Sequence, residues 1–177
     1  MNEFSRLYRL DGLSAEPLQV EIEAGPDERE ALARRFGLVA LGALTTEAEL
    51  RRTGEAATAA GTLRARVTQS CVASGDPVEA EVTEDFRIDF RPLPSDARPE
   101  EEIELGEGEL DVVFYEGGAI DLGEAAAQTL LLGLDPYPRS PAAEAALRDA
   151  GVKSEEEARM ESSPFAALAA LKGKLEE

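Results

Sequence analysis

Apolar and polar residues alternate with a period of two along three long stretches of this chain, at about 41–53, 62–71 and 78–91. That period marks strands with one face against a core and the other in water. In the third stretch Val78, Ala80, Val82, Phe86, Ile88 and Phe90 share one face, and Glu79, Glu81, Thr83, Asp85, Arg87, Asp89 and Arg91 share the other; only Glu84 breaks the apolar side. Between the second and third stretches lies Ser74-Gly75-Asp76-Pro77. Glycine admits positive φ and proline cannot donate to a following ladder, so a hairpin is predicted there, burying Val82, Phe86 and Ile88. The three segments together predict an antiparallel meander.

Upstream, Phe4 to Leu10 and Leu18 to Glu23 read as short strands, the second alternating Leu18, Val20 and Ile22 with polar neighbours. Pro26 then suits a first helical turn, Asp27, Glu28 and Glu30 favour the positive helix end, and Gly37 stops a short amphipathic helix carrying Leu32 and Phe36. Downstream, residues 92–111 hold Pro92, Pro94 and Pro99, followed by seven acidic residues and no basic one through Asp111, which predicts an exposed loop. After the apolar patch Val112 to Tyr115 and the pair Gly117-Gly118, Asp121 and Glu124 have capping-box spacing for a helix through Leu132, ended by Gly133. Ser140-Pro141 opens another helix to about Ala150, and Ser163-Pro164 opens a last one with Phe165, Leu168 and Leu171. Residues 151–163 between them are polar and short of core formers.

These elements predict an α+β fold. A curved antiparallel sheet is built around the central meander, with the 26–36 helix and the C-terminal helices packed against it. The expected organisation is a single domain over 1–150, an acidic flexible tether over 151–163 and a docking helix over 164–173. The last helix, through Phe165 and Leu168, suits either its own core or the groove of a partner.

Charge constrains function more than length does. The 177 residues carry 37 acidic and 18 basic groups, a net −19. Residues 1–98 hold 18 acidic and 12 basic groups, while 99–177 hold 19 and 6. Such a field repels nucleic acid and attracts basic partners unless the cations gather on one face. The single cysteine, Cys71, excludes an intramolecular disulfide, and no signal-like leader or stretch of ~18 apolar residues is present, so a soluble protein of a reducing cytoplasm is expected, without membrane contact.

Candidate chemistry is sparse. The chain has no histidine, which removes the commonest general base and metal ligand, and no catalytic, cofactor-binding or metal-binding set is expected. A carboxylate pair such as Glu84 and Asp85 reads as solvated surface in so acidic a chain. Gly106-Glu107-Gly108 lacks the rest of a nucleotide loop and sits among acids that repel phosphate. Cys71 falls on the face of Leu63, Ala65 and Val67 and reads as a small buried hydrophobe, with no cation nearby to lower its pKa. Arg64 and Arg66 point the other way, where they can meet RNA phosphate or pair across the hairpin with Glu81, Asp85 or a neighbour. Pro136-Tyr137-Pro138-Arg139 joins a rigid turn to an aromatic and a cation, suiting either a contact surface or a stiff connector.

Three pieces of the chain resemble, in order, the YceD family, the proteins named for large ribosomal RNA subunit accumulation. They are Gly61-Thr62-Leu63-Arg64-Ala65-Arg66-Val67-Thr68-Gln69-Ser70-Cys71 with the hairpin after it, Ile120-Asp121-Leu122-Gly123-Glu124 leading to Pro136-Tyr137-Pro138-Arg139, and Pro164-Phe165-Ala166-Ala167-Leu168-Ala169-Ala170-Leu171-Lys172. The resemblance spans about residues 60–173. Many relatives have Cys-x-x-Cys at the hairpin, whereas this chain reads Cys71-Val72-Ala73-Ser74, so a role that needs two thiolates there is absent.

The resemblance implies involvement in the synthesis, processing or stability of large-subunit ribosomal RNA in bacteria and plastids, with no catalytic residue to carry over. The expected function is a non-enzymatic ribosome-biogenesis factor with no cofactor and no small-molecule substrate. Its partner is expected to be either large-subunit ribosomal RNA, through Arg64 and Arg66, or a basic large-subunit ribosomal protein. The residues expected to meet a protein partner are Glu100, Glu101, Glu102, Glu104, Pro136, Tyr137, Arg139, Phe165 and Leu168. Charge favours the protein partner. The alternatives are a metal-dependent hydrolase or nuclease acting on ribosomal RNA, which needs converging carboxylates, and a regulatory partner of lipid-synthesis enzymes, which the family's gene neighbourhoods suggest.

Overall fold

The computed structural model describes residues 3–93 and 111–153, with Arg159. The chain divides into two compact units, residues 1–69 with 77–136, and residues 70–76 with 137–177. Its strands are β1 (Leu7–Arg9), β2 (Leu18–Glu23), β3 (Ala40–Thr53), β4 (Ala56–Ser70), β5 (Pro77–Pro92), β6 (Val112–Tyr115) and β7 (Ala119–Asp121). The helices are α1 (Pro26–Phe36), α2 (Leu122–Gly133) and α3 (Ala143–Asp149).

The first unit is α+β. Its main sheet has the order β2-β3-β4-β5-β6, and β1 pairs with β7 in a separate two-stranded ribbon. β2 and β4 both run antiparallel to β3. Side-chain bonds from Thr58 to Asp89 and from Thr62 to Asp85 show β4 and β5 running in opposite directions. β6 departs from the expected antiparallel sheet by pairing parallel to β5, Asp89 opposite Val112. A parallel pair needs a connection of roughly a dozen residues or more, and residues 93–111 separate these two strands in sequence.

The predicted alternation holds, and the strands are longer than it suggested. β4 starts at Ala56 because Ala57 and Ala59 are buried while Thr58 and Ala60 are less so, a period that small side chains hide. A two-residue loop, Gly54-Glu55, joins β3 to β4, with Gly54 at φ 64. Gly61 lets the two backbones meet: a Cβ there would stand 2.0 Å from the Glu47 carbonyl oxygen and 2.7 Å from Ala48 Cα. In β5, Val82, Ile88 and Phe90 are buried and Phe86 is partly buried against the core.

The predicted Phe4 to Leu10 strand is corrected to Leu7–Arg9, followed by a 3-10 turn at Leu10–Gly12. Phe4 is wholly buried before the strand begins, and the chain passes so close to α2 that a Cβ on Gly123 would lie 2.7 Å from the Phe4 carbonyl oxygen. α1 packs on β3 and α2 on β5, closing a core of Leu32, Leu44, Leu50, Leu63, Phe90, Ile120, Leu122 and Leu130. Glu28 reaches back 2.7 Å to the Gly25 amide and grips Arg6, while Gly37 ends α1 at φ 66. Half of the expected capping box at α2 forms: Asp121 accepts from the Glu124 amide at 3.2 Å, but the Glu124 carboxylate goes to Arg35.

The second unit contains α3 and the turn that ends the β4–β5 connection. In that turn the Cys71 amide donates to the Asp76 carbonyl at 2.7 Å, and Gly75, at φ 79, donates to the Cys71 carbonyl. Most of the expected tether at 151–163, the docking helix at 164–173 with Phe165 and Leu168, and Glu100, Glu101, Glu102 and Glu104 lie outside the described residues.

Candidate functional site

Two places in the first unit and one in the second gather polar chemistry. On the sheet face turned away from the core, Ala43, Thr45, Arg64, Arg66, Glu81 and Thr83 line a shallow depression of about 200 Å³. Alternation puts both arginines outward, as the sequence predicted, because Leu63, Ala65 and Val67 fill the core side. Arg64 pairs with Glu47 of β3 at 3.2 Å rather than across the hairpin, where Asp85 instead accepts from Thr62 at 2.6 Å. Arg66 makes no ion pair or hydrogen bond among the described residues, but Glu81 shares its depression. The two cations therefore sit among carboxylates.

The second place is a groove of about 380 Å³ where α2 passes β5 and β6. Its apolar walls include Phe86, Ile88, Val113, Ala125 and Leu132. Glu84, the residue that interrupts the apolar side of β5, lines it and is half-buried. Gly133 makes room for it, since a Cβ there would lie 2.7 Å from Glu84 Cγ. Sequence reasoning assigned Glu84 and Asp85 alike to solvated surface. The structure separates them, and the break in alternation was the signal for the difference.

The third place is the turn around Cys71. The thiol is buried, as expected, and its Sγ accepts from the Ser140 amide at 3.3 Å and the Ser74 amide at 3.4 Å. The Ser140 bond first and then Ser74 hold its pKa well below the usual thiol value, at about 6. Hydrogen bonds to the thiolate thus do what no neighbouring cation does. Ser74 Oγ donates to Asp76 at 2.7 Å and lies 3.1 Å from Ser140 Oγ, so Ser74 closes a hydrogen-bonded knot. The sequence separation of Ser140 from this turn hid its part in the knot.

In the remaining candidate segment Pro136, Tyr137 and Arg139 are all exposed, Tyr137 at 71 %. Pro138 between them is buried, and its carbonyl accepts from the Val72 amide at 2.9 Å. Among the described residues no three His, Cys, Asp or Glu side chains gather as a metal site, and no helix is long and apolar enough to cross a membrane.

The fold and these surfaces define an acidic α+β protein in which the polar features are surface clusters and a groove. Residues 59–172 match the family described as large ribosomal RNA subunit accumulation protein YceD, and the chain belongs to that family. The family is described by the accumulation of a ribosomal RNA and not by a catalysed reaction. No curated protein and no solved structure matches the chain.

Proposed function

We propose that this chain is a non-enzymatic ribosome-biogenesis factor of the cytoplasm that supports synthesis, processing or stability of large-subunit ribosomal RNA by holding a basic large-subunit ribosomal protein. The family supplies the link to large-subunit ribosomal RNA. The observation that carries the choice of partner is the charge around the arginine pair: Arg64 is engaged by Glu47, and Glu81 lies beside Arg66, on a chain of net −19. Each phosphate contact made there works against that field, whereas a basic protein is drawn in by it.

A direct RNA contact is the second reading, and exposed Arg66, without an ion-pair partner among the described residues, is what favours it. Charge variants separate the two. If a basic ribosomal protein is held, changing Glu100, Glu101, Glu102 and Glu104 together to Gln slows association about tenfold at low salt, and Arg64→Ala with Arg66→Ala changes little. If RNA is bound directly, the double arginine variant loses affinity and flattens the salt dependence, while the glutamine variant binds RNA as well or better. Loss of RNA association in the arginine variant alone overturns the protein-partner reading.

A further inference from the structure

Glu84 is the one acidic side chain on the core-facing side of β5, and the polar groups of α2 that line the same groove are already occupied. Thr129 Oγ1 donates to the Ala125 carbonyl at 3.0 Å, and Gln128 donates to Glu124 at 3.1 Å. Among the described residues Glu84 has no hydrogen bond or ion pair. A half-buried carboxylate beside Phe86 and Ile88 has lost part of its water and gained no partner in exchange, which costs stability unless an incoming group supplies a cation.

The surroundings select that group. Residues 111–136, which include β6 and α2, contain Asp111, Glu116, Asp121, Glu124 and Asp135 and no lysine or arginine, so the cation on the groove's lining is Arg87 of β5. Asp111 lines the groove where β6 begins. Leu132 also lines it and is 87 % exposed, an unusual position for a leucine at the end of a helix whose neighbour Leu130 is fully buried. The groove thus pairs exposed apolar surface with a carboxylate that Arg87, the cation on its lining, does not engage.

We propose that this groove is the docking site for a basic protein segment that lays an apolar side chain against Leu132 and Phe86 and a neighbouring Lys or Arg against Glu84. The inference rests on the reading that the chain holds a basic protein, and it names where. The glutamate sets which residue type enters beside the apolar anchor, and the acidic stretch around it speeds the approach.

The probes are a labelled amphipathic peptide of leucines and lysines, an oligolysine of equal charge, and a single-stranded RNA oligonucleotide, each titrated against the full chain. Glu84→Gln keeps the shape of the side chain, and Leu132→Ser alters an exposed position, so both variants keep the wild-type circular dichroism. The expected result is that each weakens the leucine-lysine peptide about fivefold or more, and that Leu132→Ser leaves oligolysine unaffected. Equal affinity in wild type and both variants, or no binding of the leucine-lysine peptide to wild type, overturns the docking site. RNA binding that falls in Glu84→Gln overturns it in favour of a nucleic-acid site. Basic ribosomal proteins that bind wild type and both variants alike sink the groove alone, whereas their failure to bind wild type sinks the broader reading too.

Discussion

On the outward face of the sheet Glu47 pairs with Arg64, Asp85 accepts from Thr62 and Arg66 shares its depression with Glu81, whereas the groove beside α2 keeps Glu84 with no hydrogen bond or ion pair among the described residues. The outward face looks like the better binding surface in the sequence, because its arginines stand out in a chain of net −19. In the structure it is nearer to balance, and exposed pairs of this kind contribute only ~0 to 1 kcal/mol and leave little to offer a ligand. The groove shows the opposite arrangement, with apolar walls, an exposed leucine and an unanswered carboxylate. A binding site is marked less by the charge it carries than by the charge its own fold leaves unanswered.

The largest effect should come from removing the platform on which the outward face is displayed. Gly61→Val sets new atoms against the Glu47 carbonyl and Ala48, backbone that cannot yield cheaply. It should cost about 3 kcal/mol or more in urea denaturation; a loss under 1 kcal/mol would show that β3 and β4 can part without harm. Next in size is the ion-pair group that anchors α2, one wall of the groove. Arg35 meets Glu124 at 2.7 Å and Glu3 at 2.9 Å. Arg35 holds the Glu124 carboxyl below the usual carboxylate range, and Arg6 does the same for Glu28. Because the folded values are the lower ones, this stabilisation is complete above the ordinary glutamate value of ~4.3 and is lost as pH falls through the folded values. Glu124→Gln should therefore cost about 1 kcal/mol at neutral pH and less in acid, and a cost that does not shrink on acidification would contradict the assignment.

A further effect concerns an anion satisfied in yet another way, by backbone amides. The ultraviolet absorbance of the Cys71 thiolate should appear with a midpoint at about 6 in the folded chain and near ~8.5 in urea. Its contribution to stability is full above that unfolded value and is lost as pH falls through the folded one. A folded midpoint near the ordinary thiol value would mean that the Ser140 and Ser74 amides do not hold the sulfur.

Period-two patterning made β3, β4 and β5 legible, together with the turn at Ser74 to Pro77, because each depends on neighbours close in sequence. The same reading missed the first residues of β4, where alanines and glycine carry no contrast, and the parallel entry of β6, whose four residues name no partner strand. It also placed Phe4 in a strand, although packing under α2 holds that residue outside one. For the surfaces, alternation oriented Arg64 and Arg66 correctly but could not show that Glu47 would reach Arg64. Glu84 was visible as an exception to the pattern, yet its meaning depends on α2, about forty residues further along, and on a glycine at 133.

The comparison between the two regions can be decided in living cells by replacing Leu132 and Arg66, one at a time, with a photoreactive amino acid and identifying what each captures on irradiation. A basic large-subunit ribosomal protein crosslinked from position 132, with no RNA crosslinked from position 66, is the result this account predicts. Ribosomal RNA crosslinked from position 66, with no protein captured at 132, would contradict it.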